Sequence, residues 1–110
     1  MGKQYFDFCV DKIIYTCKKC QTHFGGQDNI MSKNFHGKTG QAYLFIECFN
    51  YEMGISEEKE MLTGLHKVCD VYCRGCHTEI GWKYEDAYEQ TEKYKVGKII
   101  LEKFYLEEKK

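Results

Sequence analysis

The chain contains two short stretches that repeat one pattern: Cys17–Gly25 reads CKKCQTHFG and Cys73–Gly81 reads CRGCHTEIG. Both follow C-x-x-C-x-T-x-apolar-G. Two cysteines separated by two residues in a tight turn direct both sulfurs to one point, and two such turns that face each other supply four thiolates. The sequence therefore predicts one tetrahedral zinc ion with four cysteine ligands: Cys17, Cys20, Cys73 and Cys76.

A zinc ion with four sulfur ligands has no open coordination position, so we expect a structural metal rather than a catalytic one. The alternative for a C-x-x-C motif is a redox dithiol or a disulfide, but a redox motif normally occurs once, at the start of a helix in a βαβ pattern. Here 52 residues separate Cys20 from Cys73, whereas a simple zinc ribbon spans about 15 to 20. The segment between the two motifs is therefore expected to be a folded sheet.

The length and composition indicate one globular domain. The chain has 110 residues, of which 43% are hydrophobic and 30% charged, as is usual for such a domain. We predict a single zinc-binding domain over residues 1–110 with a core from about residue 13 to 107. Lys and Arg number 16 and Asp and Glu 17, for a net charge of -1. This balance disfavours a nucleic-acid binder that depends on bulk positive charge.

The remaining cysteines suggest the cellular compartment. Seven cysteines are present, and four zinc ligands leave Cys9, Cys48 and Cys69. An odd remainder fits a reducing environment. Residues 1–10 lack the apolar core of a secretory signal, and no apolar run approaches membrane-spanning length. We therefore expect a nuclear and cytoplasmic protein without a membrane partner.

The patterns of apolar residues predict mostly antiparallel β structure. Gln41–Tyr51 is the strongest strand, and because both of its faces are largely apolar, we expect a central strand with Cys48 in the core. An acidic loop is expected at Glu52–Lys59, and a short helix or helical turn at Glu85–Tyr94. The other predicted strands are Tyr5–Val10, Ile13–Thr16, Glu60–Thr63, His66–Tyr72, Ile80–Tyr84 and Lys98–Leu106, followed by a frayed tail at Glu107–Lys110.

Beyond the cysteines, several further segments give the chain a specific resemblance. They are Ala42–Phe45 (AYLF), Thr63–His66 (TGLH), Ile80–Glu85 (IGWKYE), Lys93–Lys95 (KYK) and Gly97–Lys98 (GK). With these segments and both C-x-x-C motifs, the chain resembles the Yippee-like proteins from about Tyr15 to Glu107.

The resemblance implies the β-tent fold, in which a four-cysteine zinc site joins two antiparallel sheets. Relatives with this fold include a centromere-assembly family, the ligand-binding domain of cereblon and methionine sulfoxide reductase B. Yippee proteins are eukaryotic and are described at nuclei, centrosomes or the mitotic apparatus, and some associate with a multisubunit ubiquitin ligase. The resemblance therefore implies a non-catalytic zinc-binding adaptor with protein partners. It leaves the oligomeric state open.

A second hypothesis places a small ligand or a modified peptide in an aromatic pocket around Trp82, the single tryptophan. The cereblon domain has the same Ile-Gly-Trp-Lys-aromatic run and uses that tryptophan in a ligand cage, but this chain has no further tryptophan to complete such a cage. Trp82 would equally fit a role in the core. The other residues of the candidate pocket are Tyr84, Phe35, Tyr43, Phe45 and His66.

Two other functions are disfavoured by the sequence. Methionine sulfoxide reductase B has its nucleophilic cysteine well after the second C-x-x-C motif, and here no cysteine follows Cys76. The spare cysteines Cys9, Cys48 and Cys69 lie in strand-like segments, where packing is the simpler role. The acidic run from Glu52 to Glu60 opposes a broad phosphate-binding face. Nucleic-acid binding would depend on scattered basic residues: Lys12, Lys18, Lys19, Lys33, Lys38 and Arg74.

Overall fold

A computed structural model describes residues 13–110, which form two antiparallel sheets. The predicted strand Tyr5–Val10 and the cysteine Cys9 lie outside the described residues. The strands are β1 (Ile14–Cys17), β2 (His23–Gly26), β3 (Ile30–Gly37), β4 (Gly40–Phe45), β5 (Tyr51–Met61), β6 (Gly64–Cys73), β7 (Glu79–Ala87), β8 (Ile99–Glu102) and β9 (Leu106–Lys109). Short 3-10 helices cover Gln27–Asn29, Gln90–Lys95 and Lys103–Tyr105.

The smaller sheet has three strands in the order β9-β1-β2, and the larger has six in the order β3-β4-β8-β7-β6-β5. All neighbouring strands run antiparallel. The prediction of a mostly β fold with two antiparallel sheets is therefore confirmed. Among residues 13–110, no helix has the length and the apolar character needed to cross a membrane.

The main hydrophobic core lies between the two sheets. The smaller sheet contributes Tyr15, Phe24 and Leu106, which are all buried. The larger sheet contributes buried side chains from four strands: Tyr43, Phe45, Val71, Ile80, Ile99 and Leu101. Burial of apolar side chains between two sheets is the main favourable term in such a fold.

A second apolar cluster covers the other face of the larger sheet. Its buried members are Ala42, Leu44, Val68, Tyr84 and Ile100. The register places Leu44 opposite Ile100, and both belong to this cluster, while the residues next to them in the chain belong to the main core. Strands β4 and β8 are therefore buried on both faces, as the apolar pattern of β4 predicted.

The predicted strand Gln41–Tyr51 is too long, because β4 ends at Phe45. After it, the chain leaves the large sheet and follows the small one: the amide of Phe49 donates to the carbonyl of Phe24 at 2.8 Å. Asn50 then reverses the chain with a φ of 59°, a conformation that asparagine tolerates well. Cys48 is buried, as predicted, but it reaches the main core from this loop.

The predicted acidic loop Glu52–Lys59 is wrong, because these residues form most of β5, an 11-residue strand. The predicted separate strand Glu60–Thr63 begins inside the same β5, which pairs with β6 and lies at the edge of the sheet. Edge strands often have charged side chains that prevent edge-to-edge association. The charged side chains made this segment look like a loop in the sequence, but they are typical of an edge strand.

The secondary structure of the C-terminal third of the chain also differs from the prediction. Strand β7 continues to Ala87, so only the six residues Gln90–Lys95 are helical, as a 3-10 helix. The predicted strand Lys98–Leu106 is divided by the 3-10 helix Lys103–Tyr105. The tail is not frayed, because β9 pairs with β1, with Leu106 opposite Cys17. This pairing completes the smaller sheet.

Gly81 allows a close approach of β7 and β8. It lies opposite Leu101 in the register, and a Cβ atom at this position would overlap the main-chain carbonyl of Ile100 and lie 3.1 Å from the Cα of Leu101. Both contacts are with backbone that is held by strand pairing, so neither can relax easily.

We therefore expect Gly81→Ala to lower the free energy of unfolding by about 2 kcal/mol or more. The measurement is denaturant unfolding of the zinc-loaded protein. Gly26→Ala is the control, since its Cβ would lie at 3.6 Å from the nearest atom, and it should change stability by less than about 0.5 kcal/mol. Equal unfolding midpoints for Gly81→Ala and the wild type would contradict this interpretation.

Candidate metal centre

The first C-x-x-C motif forms the turn between β1 and β2. Cys17 is the last residue of β1, and its amide donates to the carbonyl of Thr22 at 2.8 Å. The amide of Gln21 donates back to the carbonyl of Cys17 at 2.8 Å. Gln21 has a φ of 67°, which turns the chain back towards β2 after Cys20.

The second motif repeats this geometry between β6 and β7. The amide of Cys73 donates to the carbonyl of Thr78 at 2.8 Å, and the amide of His77 donates to the carbonyl of Cys73 at 2.7 Å. His77 has a φ of 63°, close to that of Gln21. The repeated sequence pattern therefore produces two turns of the same construction.

The two turns bring four sulfur atoms together, with every pair within 4.8 Å. The Sγ atoms of Cys17 and Cys76 are 3.7 Å apart, and those of Cys20 and Cys73 are 3.5 Å apart. A tetrahedral zinc ion with Zn–S bonds of about 2.3 Å requires sulfur separations of about 3.8 Å. The spacing thus fits a zinc ion and is far longer than the roughly 2.05 Å of a disulfide bond.

Hydroxyl groups flank two of the sulfurs. The Oγ1 atom of Thr22 is 3.0 Å from the Sγ of Cys20, and that of Thr78 is 3.2 Å from the Sγ of Cys76. A zinc-bound thiolate has no proton to give, so each threonine donates in the metal-bound form. The side-chain and backbone hydrogen bonds of Thr78 lower the pKa of Cys76 to about 6.

On the buried side of the site, the cysteine pKa is raised rather than lowered. Burial raises the pKa of Cys17 to about 12, because a thiolate away from water is unfavourable without a positive charge beside it. The charge of a zinc ion supplies that compensation and keeps a coordinating thiol deprotonated. The four donors therefore fit a zinc ion, which they would hold without an open position.

Gly75 is a site residue that the sequence analysis did not single out. A Cβ atom there would overlap the Thr22 hydroxyl and lie 2.9 Å from the Sγ of Cys20. The glycine therefore lets the second turn pack directly against the first. The sequence gives a weak signal for it, because the equivalent position of the first motif is Lys19.

The structure divides the candidate aromatic pocket between two faces of the large sheet. Phe35, Trp82 and Tyr84 belong to the second apolar cluster, and the ring of His66 lies 5.3 Å from that of Tyr84. Tyr43 and Phe45 instead belong to the main core between the sheets. Successive side chains of a strand point to opposite faces, so these two residues do not join the others. The site that remains is Phe35, His66, Trp82 and Tyr84.

Lys95 fills part of this remaining site. Its side chain is buried, and its Nζ atom is 2.6 Å from the Glu92 carboxylate. The Nζ atom also lies over the rings of Phe35 and Tyr84, at 5.4 and 5.2 Å from their centroids. Hydrogen bonding to Lys95 lowers the pKa of Glu92. Sequence reasoning missed this residue because a lysine in a charged stretch is usually exposed.

The cavity left beside Trp82 is small. Its volume is about 180 Å³, whereas pockets for drug-sized ligands usually measure about 300 to 1,000 Å³. It is bordered by charged side chains as well as by the indole: Lys38, Lys59, Asp70, Glu79 and Glu102. This space suits a small group rather than a large neutral ligand.

The spare cysteines within residues 13–110 are buried. Cys48 is 8% exposed and Cys69 is 1% exposed. Burial raises the pKa of both thiols, and the nearby Glu85 carboxylate raises that of Cys69 further. Buried thiols with raised pKa values are poor nucleophiles.

Comparison with known proteins places this geometry in a family. A family model described as "Yippee zinc-binding/DNA-binding/Mis18, centromere assembly" matches residues 13–108. The chain belongs to the Yippee/Mis18 family. The family description includes zinc binding, in agreement with the four clustered cysteines, so the predicted family and the single zinc ion are both confirmed.

Individual relatives cover nearly the whole chain. A yippee-like protein of Arabidopsis thaliana is 48% identical over 104 residues, which are 94% of this chain and 80% of the relative. Yippee-like protein 3 of Homo sapiens is 46% identical over 98 residues, which are 89% of this chain and 81% of the relative. The crystal structure of a Mis18 "Yippee-like" domain superposes with a TM-score of 0.71 at 14% identity and covers 91% of this chain and 97% of that domain. This last likeness shows that the fold is shared.

Replacing one ligand of the Yippee zinc site should release the metal. We expect Cys73→Ser to reduce bound zinc from about one ion per chain to near zero and to destabilise the fold, because three sulfurs remain and the two sheets lose their connection. Zinc content is measured by mass spectrometry of metals in protein purified without chelator. Cys69→Ala is the matched control and should keep its zinc. Full zinc in Cys73→Ser would exclude this residue as a ligand.

The threonine hydroxyls should contribute to zinc affinity. We expect Thr22→Val combined with Thr78→Val to weaken zinc binding by about 10- to 100-fold, since groups that hydrogen-bond to ligands usually contribute this much. The measurement is competition with a chromogenic chelator. Thr22→Ser combined with Thr78→Ser keeps both hydroxyls and should restore affinity to near the wild-type value. Equal affinity in the valine variant would show that the hydroxyls do not support the thiolates.

Proposed function

We propose that this chain is a non-catalytic zinc-binding protein-interaction module, or adaptor. The observation that carries the proposal is the closed metal site, in which four cysteine sulfurs meet and leave no position for a substrate or water. Zinc in such a site stabilises a surface rather than performing a reaction. The function then depends on what the two sheets present to solvent.

The spare thiols within residues 13–110 give no support to an enzyme of the methionine sulfoxide reductase type. Such chemistry needs an accessible thiolate, and Cys48 and Cys69 are both buried with raised pKa values. Cys48 packs in the main core, and the thiol of Cys69 lies next to the Glu85 carboxylate. We therefore assign no catalytic residue in the part of the chain that the structure describes.

Exposed apolar side chains support a role in protein interaction. Ile55 on the edge strand β5 is 89% exposed, and Leu62 in the following turn is fully exposed. Met53 and Phe104 are also more than half exposed. Contiguous exposed apolar surface is typical of protein-binding sites, and we infer such a surface along β5 and the turn that follows it.

The partner in this proposal is a multisubunit ubiquitin ligase or a mitotic or nuclear assembly, and the chain acts in the nucleus and cytoplasm. Support comes from the family description, which names centromere assembly. That description also includes DNA binding, but the near-neutral charge of this chain favours a protein partner. The alternative, a small ligand or modified peptide at Trp82, is limited by Lys95 and by the small cavity.

The test is affinity purification of the tagged chain from eukaryotic cells with quantitative mass spectrometry. We expect subunits of a ubiquitin ligase or of a mitotic complex, and a reduction of at least about tenfold with Ile55→Glu or Leu62→Glu, because a buried charge at an interface is costly. Both side chains are exposed, so these variants should keep zinc and fold. Trp82→Phe is the companion variant for the aromatic site.

Two results would count against the adaptor proposal. One is the absence of any reproducible partner relative to an unrelated zinc-binding bait. The other is cysteine-dependent turnover of methionine sulfoxide peptides, which would establish an enzyme. If Trp82→Phe keeps its zinc but loses the partner, while Ile55→Glu and Leu62→Glu keep the partner, the partner binds at the aromatic site.

A further inference from the structure

Two neighbouring cavities beside the zinc site share part of their lining. The first, of about 370 Å³, is lined by the small sheet and β4, including Tyr15, Gln41 and Tyr43. The second, of about 290 Å³, extends past Cys17 to Thr78. Both cavities are bordered by Lys18 and Phe104. We call their union the Lys18–Phe104 groove.

The groove has a positively charged rim. Lys18 and Lys19 come from the β1–β2 turn, and Lys103 begins the last 3-10 helix. All three are exposed, and none forms an ion pair with a carboxylate among residues 13–110. Lys33 adds a further positive charge, with its Nζ atom 5.4 Å from the centre of the Tyr43 ring. Unpaired lysines around a concave surface attract an anionic partner.

The groove also has an apolar ridge. Phe104 is 59% exposed, although its ring packs at right angles to that of Tyr105. The Nζ atom of Lys18 lies 5.0 Å from the centre of the Phe104 ring. A large aromatic ring held in place but open to solvent offers a contact for an apolar or aromatic side chain of a partner.

Carboxylates limit the kind of anion that fits. Glu108 lines the groove, and its Oε2 atom accepts a hydrogen bond from the Tyr15 hydroxyl at 3.2 Å. At the far edge of the large sheet, the distal half of β5 carries exposed acidic residues at positions 57, 58 and 60. A long polyanion that wrapped the protein would meet these charges, whereas a short acidic segment within the groove would not.

We propose that the Lys18–Phe104 groove binds a short acidic peptide segment of a partner protein, with one apolar or aromatic side chain against Phe104. The proposal rests on the adaptor function and gives its partner a chemical class. The lysine rim supplies the charge complementarity, and the two cavities have room for a few side chains. The zinc ion holds the β1–β2 turn, which supplies Lys18 and Lys19, beside the second cavity.

The test uses four fluorescein-labelled peptides of Asp and Glu that differ only in their central residue, which is Phe, Trp, Leu or Gly. Fluorescence anisotropy of the zinc-loaded protein measures their affinities. We expect binding that weakens as salt increases and is tighter for the aromatic peptides than for the Gly peptide. Lys18→Gln combined with Lys103→Gln should weaken binding by about tenfold or more.

Lys67→Gln combined with Lys93→Gln is the matched control, because it removes the same charge from exposed positions outside the groove. This control should bind as the wild type does, and Phe104→Ala should remove the preference for an aromatic centre. Equal weakening in both double variants, or no binding of any peptide, would overturn the proposal. Tighter binding of single- or double-stranded DNA, lost with the Lys18 and Lys103 substitutions, would overturn it in favour of a nucleic-acid site.

The peptide-binding and affinity-purification experiments together distinguish failure of the groove proposal from failure of the adaptor proposal. If no peptide binds but affinity purification still recovers a ligase or mitotic complex, the adaptor function remains and its surface lies elsewhere. If the groove variant also loses that complex while the control variant keeps it, both proposals are supported together.

Discussion

Coordination of one zinc ion by four cysteines is the constraint on which the fold depends. The ligands lie at the ends of β1 and β6 and in the turns that follow them, so a single ion ties a turn of the small sheet to a turn of the large one. The small sheet has three strands of four residues each, which is near the lower limit for a sheet. It is stable here because the metal and the shared core hold it against the larger sheet.

The zinc site and fold class were readable from sequence because both depend on local rules. A C-x-x-C turn has a fixed geometry, and its repetition with the same threonine and glycine indicated two equivalent turns. The buried strand β4 was visible from its continuous apolar run, although its end at Phe45 was not. That end depends on the contact between Phe49 and the small sheet, which only the tertiary structure shows.

Other features could not be predicted from the sequence because they depend on contacts between distant segments of the chain. Strand β5 is acidic and looked like a loop, yet its backbone pairs with β6 and its edge position suits charged side chains. Tyr43 and Phe45 looked like neighbours of Trp82, but the alternation of β4 points them into the other core. A lysine in a charged stretch is usually exposed, but Lys95 is buried, with its ammonium group near two aromatic rings. The strand and helix propensities of single residues and the pattern of apolar residues carry little information on which segments contact each other.

We assign different roles to the metal site and to the surface of this Yippee/Mis18 domain. In the proposed function, the zinc ion gives rigidity, and the edge strand β5 and the Lys18–Phe104 groove bind the partner. X-ray absorption spectroscopy at the zinc edge tests the central point most directly. We expect a coordination shell of four sulfurs at about 2.3 Å and no nitrogen or oxygen ligand. A shell with a nitrogen or oxygen ligand, or a folded protein that contains no zinc, would contradict a closed four-cysteine site.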